Sequence, residues 1–362
     1  MHDVAANMPS GSRARVSWYG KTSELYALLA TNILFKILTL GVFTFWARTR
    51  KRRYFWSHVE FLGDRFEYHG RGIELFLGML FVAAAVLLPL AIASSLLTLA
   101  LPDELKAIVQ VFYFIALGFL TGAGVFRAIR YRLTRSAWRG LRFGLEGRAG
   151  RFGRDYLFRT FLMLITLSLH RPWFDAWYYR TLLTSTRYGD QHTESRPEGG
   201  ELFGTYLVCW LLMVPTLGLS MAAYRVAFLR HLVARTTLAG LTVSFDATAR
   251  DLIFLRVGNF LIVGAVLLVA LGASITWTTP LMIGSTLSAD NKSVAIGLIF
   301  LVFGAIAVTT VLPLLWQRRM RFFCTHFVFG GALAVDHIRA TTSDAPQVGE
   351  GLEAAFDFDA VG

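Results

Sequence analysis

Four stretches of the chain carry no Asp, Glu, Lys or Arg: 27 residues at 75–101, 20 at 107–126, 33 at 257–289 and 25 at 293–317. About 20 apolar residues take a helix across a bilayer, so this pattern predicts four spans arranged as two hairpins. Three further apolar segments, 24–46, 154–173 and 202–224, break in the middle at "LTLG", "ITLS" and "PTLG". The charge-free part of the second is only ten residues, 160–169, which is too short to cross. All three are expected to be re-entrant or interfacial helices, since broken backbone at membrane depth is tolerable where protein or water covers it. The competing arrangement is seven simple spans.

Between the apolar segments a polar unit recurs five times. Its first two copies are "RYFWSHVEFLGDRFEYHG" (53–70) and "RYRLTRSAWRGLRFGLEG" (130–147), and the others begin at Arg180, Arg230 and Arg321. Each has a glycine about ten residues on, flanked by alternating apolar and polar positions, which reads as a short hairpin or paired strands. Two-stranded pieces are marginal alone, so the five are expected to pack as one cap. A shift of 177 residues also lays the chain on itself: Glu24-Leu25 on Glu201-Leu202, Thr39-Leu40-Gly41 on Thr216-Leu217-Gly218, Glu74-Leu75 on Asp251-Leu252. The expected organisation is a disordered lead-in (1–20), a first repeat (21–147), a half-repeat (148–196), a second repeat (197–340) and an acidic, disordered tail (341–362). The fold class is a mainly α membrane protein: two transmembrane hairpins, re-entrant helices, and five short β elements forming a cytoplasmic cap.

Composition agrees with the pattern, at 55% hydrophobic and 17% charged residues. The net charge of +12 does not point to nucleic acid, because the cations sit between the apolar segments, as in the cytoplasmic loops of membrane proteins. Residues 127–154 hold nine Arg against Glu146 alone, whereas the tips "PDELK" (102–106) and "DNK" (290–292) carry no such excess. This distribution puts the polar units and both termini in the cytoplasm. Residues 1–23 lack the apolar core of a signal peptide, and Cys209 and Cys324 have no partner spacing for a disulfide framework or a zinc motif.

The stretch 38–78 contains an "LTLG" turn, Trp46-Ala47-Arg48, Arg53-Tyr54 and Phe66-Glu67-Tyr68-His69-Gly70. It resembles the signature of the YjgN-like family of bacterial inner-membrane proteins, and the likeness extends more weakly to about residue 340. The resemblance implies an inner-membrane location. It implies no catalytic residue, because that family is a domain of unknown function; the tail "GEGLEAAFDFD" (349–359) is similar to family tails.

Candidate chemistry centres on Arg53, Arg130, Arg180, Arg230 and Arg321. A guanidinium fork suits phosphate or carboxylate, so five of them under one cap are candidates for holding anionic head groups; the competing role is to cap helix-end carbonyls or pair with local acids. The series His58, Arg135, Thr184, Arg235 and His326 recurs as a hydrogen-bond donor, and His58 and His326 lack companions at metal-ligand spacing. Lys36 is an ionisable residue inside an apolar run, a candidate by default, although it can snorkel and its repeat-mate is Met213. Aromatics at segment ends read as an interfacial belt. No catalytic motif is present, so neither an enzyme nor a cofactor is expected. The expected function is binding or transport of a lipid or small amphiphile through an Arg-rich cytoplasmic mouth; the alternative is a non-catalytic scaffold docking a membrane-protein partner. The bilayer itself, with its anionic lipids, is the expected partner.

Overall fold

A computed structural model describes residues 7–8, 13–238, 240–284, 288–331 and 333–334. The strands β1 (Asn7–Met8), β2 (Arg13–Arg15) and β3 (Ser17–Trp18) lead into a helix pair, α1 (Thr22–Leu38) and α2 (Thr44–Ser57), then a hairpin of β4 (Val59–Phe61) and β5 (Asp64–Tyr68). The combination of helix pair and hairpin then recurs. Next come α3 (Gly72–Val82), which continues through a π-helical turn into α4 (Leu88–Ala100), then α5 (Asp103–Thr134) with β6 (Ser136–Trp138) and β7 (Leu141–Leu145). The third unit is α6 (Ala149–Ile165), α7 (Arg171–Thr184), β8 (Thr186–Tyr188) and β9 (Gln191–Ser195). The fourth is α8 (Phe203–Leu211), α9 (Ser220–Ala234), β10 (Thr236–Leu238) and β11 (Leu241–Phe245). The last is α10 (Ala249–Gly284), α11 (Ala289–His326), β12 (Phe327–Gly331) and β13 (Leu333–Ala334). Four helical stretches, Gly72–Ala100, Asp103–Thr134, Ala249–Gly284 and Ala289–His326, are long and apolar enough to cross a membrane.

The β elements are not five separate pieces. They form one 11-stranded sheet in the order β2-β12-β11-β10-β9-β8-β7-β6-β5-β4-β3. Its two ends are neighbours in the chain, with only Val16 between β2 and β3, so the sheet closes into a near-barrel. Closure removes the free edges that would otherwise pair with other chains. The segment expected to be a disordered lead-in therefore includes the closing strand: Ala14 pairs with Phe329 and Ser17 with Glu60. The pattern Arg13-Ala14-Arg15-Val16 has a period of two, with Ala14 and Val16 packing into the ring; it is simply too short to register as an apolar run. The tail at 341–362 lies outside the described residues.

Two-residue turns fix the register of the hairpins. Leu62-Gly63 and Arg139-Gly140 both have two positive φ values (50° and 81°, 50° and 74°), as a type I′ turn requires and as the twist of the paired strands favours. The third residue of each first strand then points inward. Phe61, Trp138, Tyr188, Leu238 and Phe329 fill the ring, with Phe61 centred 4.7 Å from Phe329 and 5.4 Å from Trp138. Tyr188 Oη donates to Trp138 O at 2.9 Å, which satisfies its one polar atom. The ring is a plug, not a pore.

Four hairpins and β12 of the fifth unit share one sheet, while β13 pairs with β1 apart from it, so each intervening helix pair leaves the ring and returns to it. The three short pairs reverse at the same turn: Thr39-Leu40-Gly41, Thr166-Leu167-Ser168 and Thr216-Leu217-Gly218, each with two successive positive φ values. Each threonine hydroxyl donates to the carbonyl four residues back and accepts from the N–H four residues on, as in Thr216 to Leu212 O (2.6 Å) and Ser220 N to Thr216 (3.1 Å). The turn satisfies much of its own backbone while Leu40 and Leu217 project almost fully exposed.

Candidate anion-binding cavity

The recurring arginines are mostly occupied close to home. Arg53 donates to Gly70 O (3.3 Å), Arg130 to Leu145 O (3.2 Å) and Gly147 O, and Arg230 to Asp246 O (3.4 Å). Each thereby caps carbonyls at the end of its own hairpin. Arg180 and Arg321 are exposed, and Arg180 lines a groove of its own. The five do not gather in one pocket. Lys36 is half-buried on α1 and faces the charges of Arg48 and Lys51 on α2.

The His58 series has a structural partner that pattern reading missed. Glu24 meets His58 (3.3 Å) and Tyr54 (3.0 Å), Glu74 meets Arg135 (3.0 Å) and Tyr131 (2.7 Å), and Glu201 meets Arg235 (2.6 Å). In each case an acid in the first turn of an outgoing helix staples the last turn of the returning one. The signal was in the repeat itself, where the aligned Glu-Leu pairs supply the acid and a buried leucine (Leu25, Leu75, Leu202).

The convergent polar site lies elsewhere, in a cavity of about 810 Å³ walled by α5, α6, α7, α9 and α10. On its floor Asp175, 4% exposed, accepts both bonds from Arg171 Nε (2.9 and 3.0 Å) and one from Tyr224 Oη (2.9 Å). Three more guanidinium groups line the cavity: Arg132, Arg225 and Arg256. Arg225 donates to Tyr179 Oη (3.3 Å). Arg256 has no hydrogen bond or ion pair among the described residues, and its charge opposes that of Arg225. Asp175 is the one acid in the lining, and Arg171 already pairs with it. Apart from Thr160 the rest of the wall is apolar or aromatic, including Ile129, Met163, Phe174 and Met221. Like charges facing each other in an aromatic cavity favour an anion, and the apolar wall favours one with a hydrophobic part.

Sequence reading overlooked this set, although Arg256 borders a charge-free window and Asp175 stands among aromatics in "PWFDAWYY". Ionisable residues inside apolar segments were the available signal.

Four bilayer-length apolar helices, three short helix pairs and a polar ring on which all of them converge are the features of a helical membrane protein. The chain belongs to the family described as bacterial protein of unknown function (DUF898), whose model matches residues 13–223. YjgN-like proteins are members of that family, so the resemblance read from 38–78 holds. The match starts at the closing strand β2 and ends within α9. No curated protein and no solved structure matches the chain.

Proposed function

We propose that the protein binds, and in binding helps move, an anionic amphiphile taken from the leaflet on the ring side of a bacterial inner membrane. The observation that carries this is the Arg225–Arg256 pair in an aromatic cavity whose one carboxylate, Asp175, is already taken by Arg171.

Depth supports the same reading. On the ring side three of the four charge-free windows end at Phe126, Val257 and Gln317, and the fourth at Leu75, nearer the ring. Phe126 lies eight residues, or about 12 Å of helix, from the end of α5 at Thr134. The same distance back from the ends of α7 and α9 reaches Ala176 and Val226, so Asp175, Arg225 and Arg256 stand where head groups give way to hydrocarbon. The tips at 39–41, 166–168 and 216–218 lie about 24 Å from the ring along their helices, hence about 12 Å into a hydrocarbon core of about 30 Å. On this reading the three short pairs are re-entrant and stop near the midplane, and the cavity opens within one leaflet. The arginine excess of 127–154 supports a cytoplasmic side for that leaflet, the ring and both termini.

The reading is of a binding protein, not an enzyme. Docking of a partner on the cap gains no support, because among the described residues every exposed large apolar side chain except Tyr19 belongs to a helix or a helix tip. Native mass spectrometry of the protein, released from membranes in mild detergent, tests the proposal. The wild type is expected to retain one anionic amphiphile more than the Arg225→Gln, Arg256→Gln double variant. Equal retention by both, or none by the wild type, contradicts it.

A further inference from the structure

Arg180 departs from the rule of its series. Arg53 and Arg130 bond carbonyls 17 residues on, at Gly70 and Gly147, and Arg230 bonds one 16 on, at Asp246. Seventeen residues beyond Arg180 stands Pro197, and among the described residues Arg180 makes no side-chain hydrogen bond or ion pair. It lines an open groove of about 590 Å³ on the outer flank of α7, together with Arg159, Trp173, Trp177 and the Glu198–Gly200 segment.

The groove is separate from the cavity described above and is built from different groups. Arg159 lies over the Trp177 ring, 4.9 Å from its centre. Trp173 packs on Phe203 (5.0 Å) and stacks on His170, whose buried Nε2 has no partner among the described residues. Gly199 rests on the backbone of Pro172 and Trp173: a Cβ there would stand 2.6 Å from Trp173 Cα, so only glycine lets the floor close this tightly. Glu198 at the rim is the one acid in the lining, leaving two guanidinium groups against one carboxylate.

Level decides the occupant. Trp177 is one residue from the hydrocarbon boundary reckoned along α7, Trp173 is deeper, and Arg180 is about 6 Å nearer the ring. A cation at head-group level, Arg180, and a second, Arg159, lying on Trp177 at the boundary are an arrangement that holds a phosphodiester whose acyl chains descend beside the protein. We infer that this groove is a binding site for the head group of an anionic phospholipid of the ring-side leaflet, distinct from the cavity ligand, with Arg159 and Arg180 clasping the phosphate and Trp173 and Trp177 flanking the glycerol region.

The test uses the full-length protein, delipidated in detergent and titrated with phosphatidylglycerol or phosphatidylcholine of the same chain length, with bound lipids counted by native mass spectrometry. Phosphatidylglycerol is expected to fill one more site than phosphatidylcholine. Its affinity there should fall about thirtyfold in Arg159→Gln, Arg180→Gln and about fivefold in Arg180→Gln alone. Arg180 is exposed and has no side-chain hydrogen bond or ion pair among the described residues, so the single variant keeps the test readable if the double variant fails to fold. The Arg225→Gln, Arg256→Gln variant should keep this site, which separates it from the cavity proposal. Equal filling by the two lipids, undiminished phosphatidylglycerol in the Arg180 variants, or displacement of the lipid by millimolar inorganic phosphate would each overturn it, the last by marking a site for a small free anion.

Discussion

Asp175 is the most constrained single residue of the cavity. Replacing it with Ala leaves the Arg171 charge half-buried and unpaired, and breaking a buried pair from one side costs about 3–5 kcal/mol; Arg171 retains some exposure, so the lower end is expected. Tyr224→Phe removes one hydrogen bond and should cost about 1 kcal/mol. Denaturation in detergent reads both. His231 supplies a pH dependence. Its Nε2 accepts from Glu198 N (3.0 Å) and faces Arg235 Nη1 (3.2 Å), so the imidazole is held neutral. Burial first, then Arg235, set its pKa below the ordinary value. A histidine with a lowered folded-state pKa contributes stability above its unfolded value of about 6.5 that is lost as pH falls below it. The melting temperature of the wild type should therefore drop between pH 7 and pH 5 by more than that of His231→Gln.

The five-membered arginine series was legible at this scale, but its purpose was not. Whether a guanidinium turns to a carbonyl or to a ligand depends on where the next strand ends, and sequence spacing alone does not say. Arg180 has the spacing of its fellows, yet no carbonyl bond to it forms among the described residues. The cavity arginines were harder still, because they come from three helices with no common motif.

Helix breaks, by contrast, were readable in advance, since Thr-Leu-Gly and its relatives interrupt runs that would otherwise continue. What the pattern could not convey is that the threonine serves both legs of the turn. Thr216→Val should leave the Ser220 N–H unpaired at depth and cost about 1–3 kcal/mol. Gly218, at φ 81°, should lose about 1–2 kcal/mol on replacement by Ala. Leu217→Asp puts a charge where the re-entrant reading has hydrocarbon, so membrane insertion of that variant should be impaired by about 3 kcal/mol. Leu217→Asp inserting as readily as the wild type would mean that this tip lies in water.

Over the whole molecule, the four long helices followed directly from the absence of charge, whereas the ring did not. Strands of three and five residues are too short to reveal their neighbours, and the closing strand comes from the far end of the chain. That strand now makes a strong prediction. Deleting residues 1–18 exposes the edges of β12 and β4 together, and the truncated protein should lose its sharp melting transition and aggregate on gel filtration.

A single sheet also fixes how often the chain can change sides, since every helix pair must return to the ring it left. Cysteine labelling in sealed, oriented vesicles tests this most directly. The background is Cys209→Ala, Cys324→Ala, and a membrane-impermeant maleimide probes single cysteines at Arg65, Asp190 and Thr242 on the ring and at Asp103 and Asp290 on the far tips. The ring positions should all label from one side and the two tips only from the other. Asp190 labelling from the same side as Asp103 would contradict a one-sided ring and restore the seven-span arrangement.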